Sequence, residues 1–495
     1  MKLEKIVILG GGTAGWMTAA ALSKHFANKV EITLVESEQI GTVGVGEATI
    51  PTIRRFYQQL GLSDKTVIAK TNATFKFGIE FVDWQKSGHS FIHPFGLFGQ
   101  GTPSLDFHHY WLRARTHDST IDLQDYSLGV QLAKNNKVLM PNKPQNQLEV
   151  FDWALHFDAA LFARLMRETA ETLGVNRVEA KVKSVQKSKE DIGALILESG
   201  ELISGDLFID CSGFKAELIG KALEVDYLDW SNYLLCDSAI AVQTEKTGEI
   251  SNKTISKAKS AGWQWRIPLT TRMGNGYVYS SKHINDEDAE LEFLSSLEGD
   301  ITSALRKFKF TPGRRANAWQ SNCVSIGLSS GFLEPLESTS IALIETAIAK
   351  LIDLIPDNQI SSDTAKKFNY ATALEYERVR DFIIMHYVLS QRDDTQFWLD
   401  CRNVSIPETL KSKLQNYEQN AELKPLPWDI FGKDSWLALL DGLGMYPRKY
   451  NERANNMPIE YLQKHLAFMK QEIDNLVGKG VEHERFLREE INLNE

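Results

Sequence analysis

The sequence predicts an α/β fold, with a mixed β-sheet region set into it and a mainly helical C-terminal subdomain. Three observations lead there. The apolar run KIVIL at 5–9 passes through GGGTAG into helical periodicity over 14–27, then into VEITLVE at 30–36, which makes one βαβ unit. Stretches rich in aromatic and β-branched residues at 74–81, 88–97, 262–269 and 276–281 supply strands of a different character. Residues 364–390 and 457–491 carry amphipathic helical periodicity.

The 495 residues are enough for more than one core. We assign 1–350 to a nucleotide-binding body, interleaved with segments of a second region at about 85–165 and 225–310, and 351–495 to the helical subdomain. Further strands are expected at 207–211 (LFIDC) and 323–328 (CVSIGL), the latter followed by a helix over about 341–355. Hydrophobic content of 43% and charged content of 24% are those of a globular chain. A net charge of −10 argues against nucleic acid and anionic membranes as partners, and no apolar run reaches the length of a membrane span. The start, MKLEKIVILGGG, has too short an apolar segment for a secretion signal and reads as a strand. Cys211, Cys236, Cys323 and Cys401 are scattered, which fits reduced thiols in the cytoplasm rather than a disulfide frame or a zinc site. His108-His109 has no third ligand at metal spacing, so no metal is expected.

Within GGGTAGW, Gly10, Gly12 and Gly15 form G-x-G-x-x-G between a strand and a helix. Gly10 permits the tight turn, Gly12 lets a pyrophosphate approach the backbone, and Gly15 allows close packing of helix on strand. The helix N-terminus, running through Thr13 and Ala14, offers amides to phosphate. Glu36 ends the second strand, where an acid can take ribose hydroxyls. The fingerprint occurs once, and LFIDCSG suits a strand that returns to the cofactor, so FAD is favoured over NAD. No second dinucleotide motif offers NADPH a site, so reduced flavin is expected from another protein.

Five motifs together now carry a resemblance: GGGTAGW, GVGEATIP at 44–51, ATFKFGI at 73–79, GWQWRIP at 262–268 and SIGLSSGFLEPLESTS at 325–340. The chain resembles the flavin-dependent halogenases of the tryptophan (indole) halogenase family, over roughly the first 400 residues. The resemblance implies a Rossmann-like, GR2-type FAD-binding body, with Ala48, Leu328 and Ile341 also at the cofactor. It implies that FADH2 and O2 turn halide into hypohalous acid, which travels to a separate chamber holding an electron-rich arene. A flavin reductase is the expected partner, and a homodimer stays open.

The same resemblance assigns roles to single residues. Lys76 in TFKFGIEF holds the halogen; alternation alone would send that lysine to solvent. Glu337 helps remove the proton, although acids such as Glu334 and Glu337 also complement a helix dipole. The amides of Thr339 and Ser340 hold halide, with serine standing where tryptophan halogenases usually carry glycine. Trp263 and Trp265 share a strand face and wall the flavin from the arene; on spacing alone they would be core filling. His93 and Phe95 match positions that sandwich the indole. The paired tyrosines that grip the amino-acid end of tryptophan are missing before GLGMYP (442–447), where ELKPLPWDIFGKDSW (422–436) stands instead. The expected substrate is therefore an indole lacking the zwitterion. Free tryptophan, aromatic hydroxylation by a single-component FAD enzyme, and halide-independent hydride transfer are the competing readings.

Overall fold

The computed structural model describes residues 2–38, 46–140 and 143–490. Gly44 and Val45 of the GVGEATIP motif lie outside them. Two compact units are formed from interleaved segments, Met1–Ala73, Phe157–Asn232 and Phe308–Arg378 in the first, Thr74–His156, Tyr233–Lys307 and Val379–Glu495 in the second.

The first unit is built on a six-stranded sheet in the order Trp319–Gln320, Cys323–Ser325, Leu207–Asp210, Lys5–Leu9, Glu31–Glu36, Asn176–Glu179. All pairings are parallel except the outer pair Trp319–Gln320 with Cys323–Ser325. Central strands of such a sheet are covered on both faces, which explains runs as apolar as KIVIL and LFID. The helix Thr13–Phe26 starts on extended Gly12 and stops at Ala27, whose left-handed backbone returns its N–H to Ser23 O. Ser23 Oγ in turn donates to Leu173 O at 2.6 Å, tying this helix to the end of the helix Ala159–Thr172. The predicted helix after CVSIGL spans Thr339–Leu354.

In the second unit, six strands of the large sheet run Ser238–Thr244, Met273–Tyr279, Gly262–Pro268, Thr254–Ala258, Gly78–Val82, Ser90–Pro94. TFKFGIEF is not one strand as its alternation suggests. Thr74–Lys76 pairs antiparallel with Ala154–His156, whereas Gly78–Val82 joins the large sheet. The change occurs at Phe77, whose N–H donates to Asn252 O at 2.8 Å, and at Gly78, where a Cβ would lie 2.4 Å from His93 O. The stretch 457–491 is likewise interrupted: helices Ile459–Lys479 and His483–Glu490 flank Val481–Glu482, which pairs with Lys137–Val138. Among the described residues, no helix is long and apolar enough to cross a membrane.

The tryptophan strand is fitted to its neighbour by a glycine. Trp265 lies opposite Gly276, and a Cβ there would sit 2.0 Å from Trp265 Cζ2. Gly276→Ala therefore has to displace an indole, and overpacking of this kind costs about 1–3 kcal/mol. Equilibrium denaturation is expected to show that loss, and unchanged stability would mean that the indole is not fixed as described.

Candidate active site

The glycine loop is closed on three sides and open on one. Gly10 has φ +116°, and a Cβ on it would lie 2.3 Å from Cys211 O; one on Gly15 would lie 1.8 Å from Gly10 O. A Cβ on Gly11 would overlap Glu36 Oε2 at 1.4 Å. At Gly12 it would meet nothing within 4 Å. Gly12, the N-cap of the helix it opens, has no side chain to cap it, which leaves room for an anion at the first amides. Glu36 is mostly buried, with Arg177 Nε at 2.6 Å from Oε1 and the other oxygen on the Gly11 side. Gly327 brings the turn Gly327–Ser329, which carries Leu328, against Ala14: a Cβ on it would lie 2.9 Å from Ala14 Cβ. Ala48, on the short strand Gly46–Ala48, and Ile341, on the helix Thr339–Leu354, are both buried.

In FLEPLESTS the sequence dictates a tight turn before the helix. Pro335 opens a 3-10 turn over Pro335–Glu337, and Ser338 follows with a left-handed φ of +59°. Ser338 makes no side-chain cap, so the amides at the start of the sixteen-residue helix Thr339–Leu354 are not capped from that residue. Glu337 is 1% exposed and Thr339 is fully buried; among the described residues Thr339 Oγ1 has no hydrogen-bond partner. Ser340 is half-buried at the second helical position. Further along the same helix, burial raises Glu345 to about 8.

In the second unit, Lys76 is 0% exposed, contrary to what period-two alternation would give it. Its strand is held at Thr74↔His156 and Lys76↔Ala154, and its Nζ lies 5.2 Å from the centroid of the Phe95 ring. His156 is also fully buried, and its pKa is held well below the usual histidine value by burial first and by the Lys76 charge second.

Trp263 and Trp265 are both buried, with ring centroids 6.0 Å apart. Trp263 is also 6.4 Å from Trp84, which itself packs on Trp398 and Tyr387 at 5.5 and 5.4 Å. Trp263 thus has a packing role of its own, whatever else its face does. His93 lies 5.8 Å from Phe382 and 6.1 Å from Phe431, and those two rings stack at 3.9 Å. Trp436 meets Phe382 edge-on at 5.0 Å. Phe382, Phe431 and Trp436 were not predicted as site residues. Phe431 and Trp436 stand in the segment 422–436, whose only sequence signal was the missing tyrosine pair. That segment is anchored by the buried pair Lys413–Asp429 at 2.9 Å, with Lys413 Nζ 4.2 Å from the Trp436 ring.

A separate, largely polar cleft of about 400 Å³ is lined by residues including Glu80, His89, Arg115, Asp122 and Asp441; it contains none of the sequence-predicted site residues. Among the described residues, no cluster of three or more His, Cys, Asp or Glu side chains is arranged to hold a metal.

Comparison with known proteins shows the family to which the chain belongs. A family model described as tryptophan halogenase matches residues 5–459. The chain belongs to the tryptophan halogenase family. It is 33% identical to the tryptophan 7-halogenase RebH of Lentzea aerocolonigenes over 99% of both chains. It is similar in structure to BrvH, a flavin-dependent halogenase from Brevundimonas sp. BAL3, with TM-score 0.95, 50% identity and coverage of 98% and 99% of the two chains. A flavin-dependent halogenase from Xanthomonas campestris gives TM-score 0.95 at 40% identity, covering 99% and 98%. The protein is accordingly an enzyme, a flavin-dependent halogenase, and its fold is that of this family.

A flavin dinucleotide fits the loop just described. Space is left at Gly12 alone, beside uncapped amides and next to the Glu36 carboxylate. This halogenase therefore separates two kinds of glycine. Gly12→Ala, at an ordinary φ and with no protein atom in its way, should leave the stability of the flavin-free protein unchanged and weaken FAD binding by about tenfold or more. Gly15→Ala should unfold more readily even without flavin. Flavin fluorescence titration and thermal denaturation of the flavin-free protein check both. Equal FAD affinity in Gly12→Ala would remove the loop from the cofactor site.

Proposed function

We propose that this halogenase installs chloride or bromide on an electron-rich arene, an indole without the amino-acid zwitterion, by passing hypohalous acid to Lys76. The observation that carries the reading is the complete burial of Lys76 on a short strand, against the Phe95 ring. A lysine with no exposure at all has the fixed position that a reagent needs.

The overall reaction is ArH + X⁻ + H⁺ + O2 + FADH2 → ArX + FAD + 2 H2O. When bound, the reduced flavin supplies the two electrons that, with O2, allow halide to become hypohalous acid. Gly12, the amides from Thr13 to Gly15, Glu36, Ala48, Leu328 and Ile341 hold that cofactor in this reading. The amides of Thr339 and Ser340 hold the halide, a role supported by the uncapped helix start and by the buried hydroxyl of Thr339. Lys76 Nζ then donates a hydrogen bond to hypohalous acid and points its halogen at the ring carbon. As the carbon–halogen bond forms the halogen–oxygen bond breaks, the oxygen leaves as water with the proton given by Lys76, and the Glu337 carboxylate accepts the proton that leaves that carbon. Trp263 and Trp265 form an inert wall. With no flavin-reducing site of its own assigned, the enzyme draws FADH2 from a separate reductase.

His93 is the predicted ring contact for the arene, and its neighbours Phe382 and Phe431 extend the aromatic surface. In the segment where tryptophan halogenases grip the zwitterion, the Asp429 carboxylate is already paired with Lys413, which lies outside that segment. That supports an indole with no amino and carboxylate groups to hold. Free tryptophan is the second reading, favoured by the names of relatives such as the tryptophan 7-halogenase RebH.

Mass spectrometry of parallel reactions with indole and with tryptophan separates the two. Each contains a flavin reductase, FAD, NADH, O2, catalase, and either chloride or bromide. Haloindole should form at least about tenfold faster than halotryptophan. Halotryptophan formed as fast as haloindole would establish the second reading, and a hydroxylated arene would overturn both. Glu337→Gln should lower arene halogenation by about 10²–10⁴-fold, as expected for loss of a general base. Turnover at the wild-type rate in that variant would remove Glu337 from the mechanism.

A further inference from the structure

Buried beside Lys76 is a histidine that the reaction just described does not use. His156 and Thr74 are both 0% exposed, and they face each other directly across the pairing of Thr74–Lys76 with the strand Ala154–Asp158. His156 Nδ1 lies 2.9 Å from Thr74 Oγ1, His156 Nε2 lies 2.9 Å from Thr254 Oγ1, and Thr74 Oγ1 lies 2.7 Å from Pro268 O. Hydrogen-bond chemistry fixes the direction of this chain. A carbonyl oxygen only accepts, so the single Thr74 hydroxyl proton goes to Pro268 O. Thr74 Oγ1 must then accept from His156 Nδ1–H, which leaves the Nε2 lone pair to accept from the Thr254 hydroxyl. Every link is removed from water, where each is worth more than at a surface and costly to leave unmade.

The chain joins three pieces of backbone that matter to the site: Thr254 on the strand Thr254–Ala258, Thr74 two residues before Lys76, and Pro268 at the end of the tryptophan strand Gly262–Pro268. A second histidine completes the clamp. His483, also fully buried, accepts from Phe75 N–H at Nε2 (3.2 Å) and has Nδ1 3.0 Å from Ile250 O. Burial holds it down to about 4, so it is a neutral acceptor for the lysine strand. The charged and titratable groups acting on His156 are Lys76 and His483; a proton on its ring would place a second cation beside the ammonium.

We propose that His156, as the Nδ1–H tautomer, is a positioning residue that locks the Lys76 strand to the end of the tryptophan strand through the Thr254–His156–Thr74–Pro268 chain, so that its loss uncouples hypohalous acid formation from arene halogenation. The proposal rests on Lys76 being the residue that delivers halogen. It predicts a split that general destabilisation does not produce, because misplacing a reacting group by an ångström affects one step and leaves the other alone.

The test uses the full-length enzyme with FAD and a flavin reductase, and two readouts. One is oxidant released without arene, captured by a small β-diketone that takes up hypohalous acid from solution. The other is halogenation of indole at saturating concentration. His156→Phe and the near-isosteric Thr74→Val both break the chain, while His156→Asn can still donate an amide N–H toward Thr74. Indole halogenation should fall roughly 10- to 100-fold in the first two, with capture by the diketone unchanged, and His156→Asn should recover most of the loss. Wild-type indole halogenation in His156→Phe and Thr74→Val would overturn the proposal. So would a parallel fall of both readouts with no recovery in His156→Asn. Lys76→Ala is run alongside: if it still halogenates indole, the role of Lys76 itself fails, whereas an inactive Lys76→Ala beside a fully active His156→Phe defeats the positioning role alone.

Discussion

An ammonium group taken wholly out of water governs how the second unit is arranged around Lys76. Such a group is expensive to bury, so its surroundings have to be fixed and chosen. The structure meets this with a ring face at Phe95, a three-residue strand pinned by pairing to Ala154–His156, and two neutral histidines rather than charged ones. Neutrality at His156 and His483 follows from the same burial that encloses the lysine. A ring that would be a pH switch at the surface acts here as a fixed hydrogen-bonding strut.

The first unit answers a different requirement, that of leaving room. Gly10, Gly11 and Gly15 are consumed by close approach of Cys211, Glu36 and the loop's own backbone, and only Gly12 faces open space. The helix beginning there and the helix beginning at Thr339 both start without a side-chain cap. A helix start whose N-cap residue gives no side-chain cap, as at Gly12 and Ser338, can receive an anion. The comparisons with known proteins establish the family; these local geometries supply the physical reason such a fold can serve it.

Much of this was legible in the residues. The strand, glycine loop, helix and Glu36 were placed correctly because turn sterics and apolar periodicity are local properties, and the helix after CVSIGL was legible for the same reason. The burial of Lys76 was not legible from alternation, which places lysine outward on any half-buried strand; the residues Ala154–His156 that pair with its strand and the Phe95 ring beside it are both distant in sequence. The division of TFKFGIEF between two sheets was hidden because Phe75, Phe77, Ile79 and Phe81 are all buried, so the pattern stays unbroken while the hydrogen-bond partners change. Phe431 gave no signal because a lone aromatic in an irregular segment has no period. Its position depends on stacking against Phe382, which lies on the helix Thr364–Val388.

The most direct measurement replaces Lys76 by methionine, which keeps the unbranched stem and removes only the ammonium. Indole halogenation by this variant is compared with the wild type, in the presence of FAD and a reductase, alongside oxidant release without indole. If the buried ammonium delivers the halogen, the variant still binds FAD and still releases oxidant, and no haloindole is detected. Haloindole formed at the wild-type rate would contradict the account, because the residue around which the second unit is organised would then have no part in the reaction.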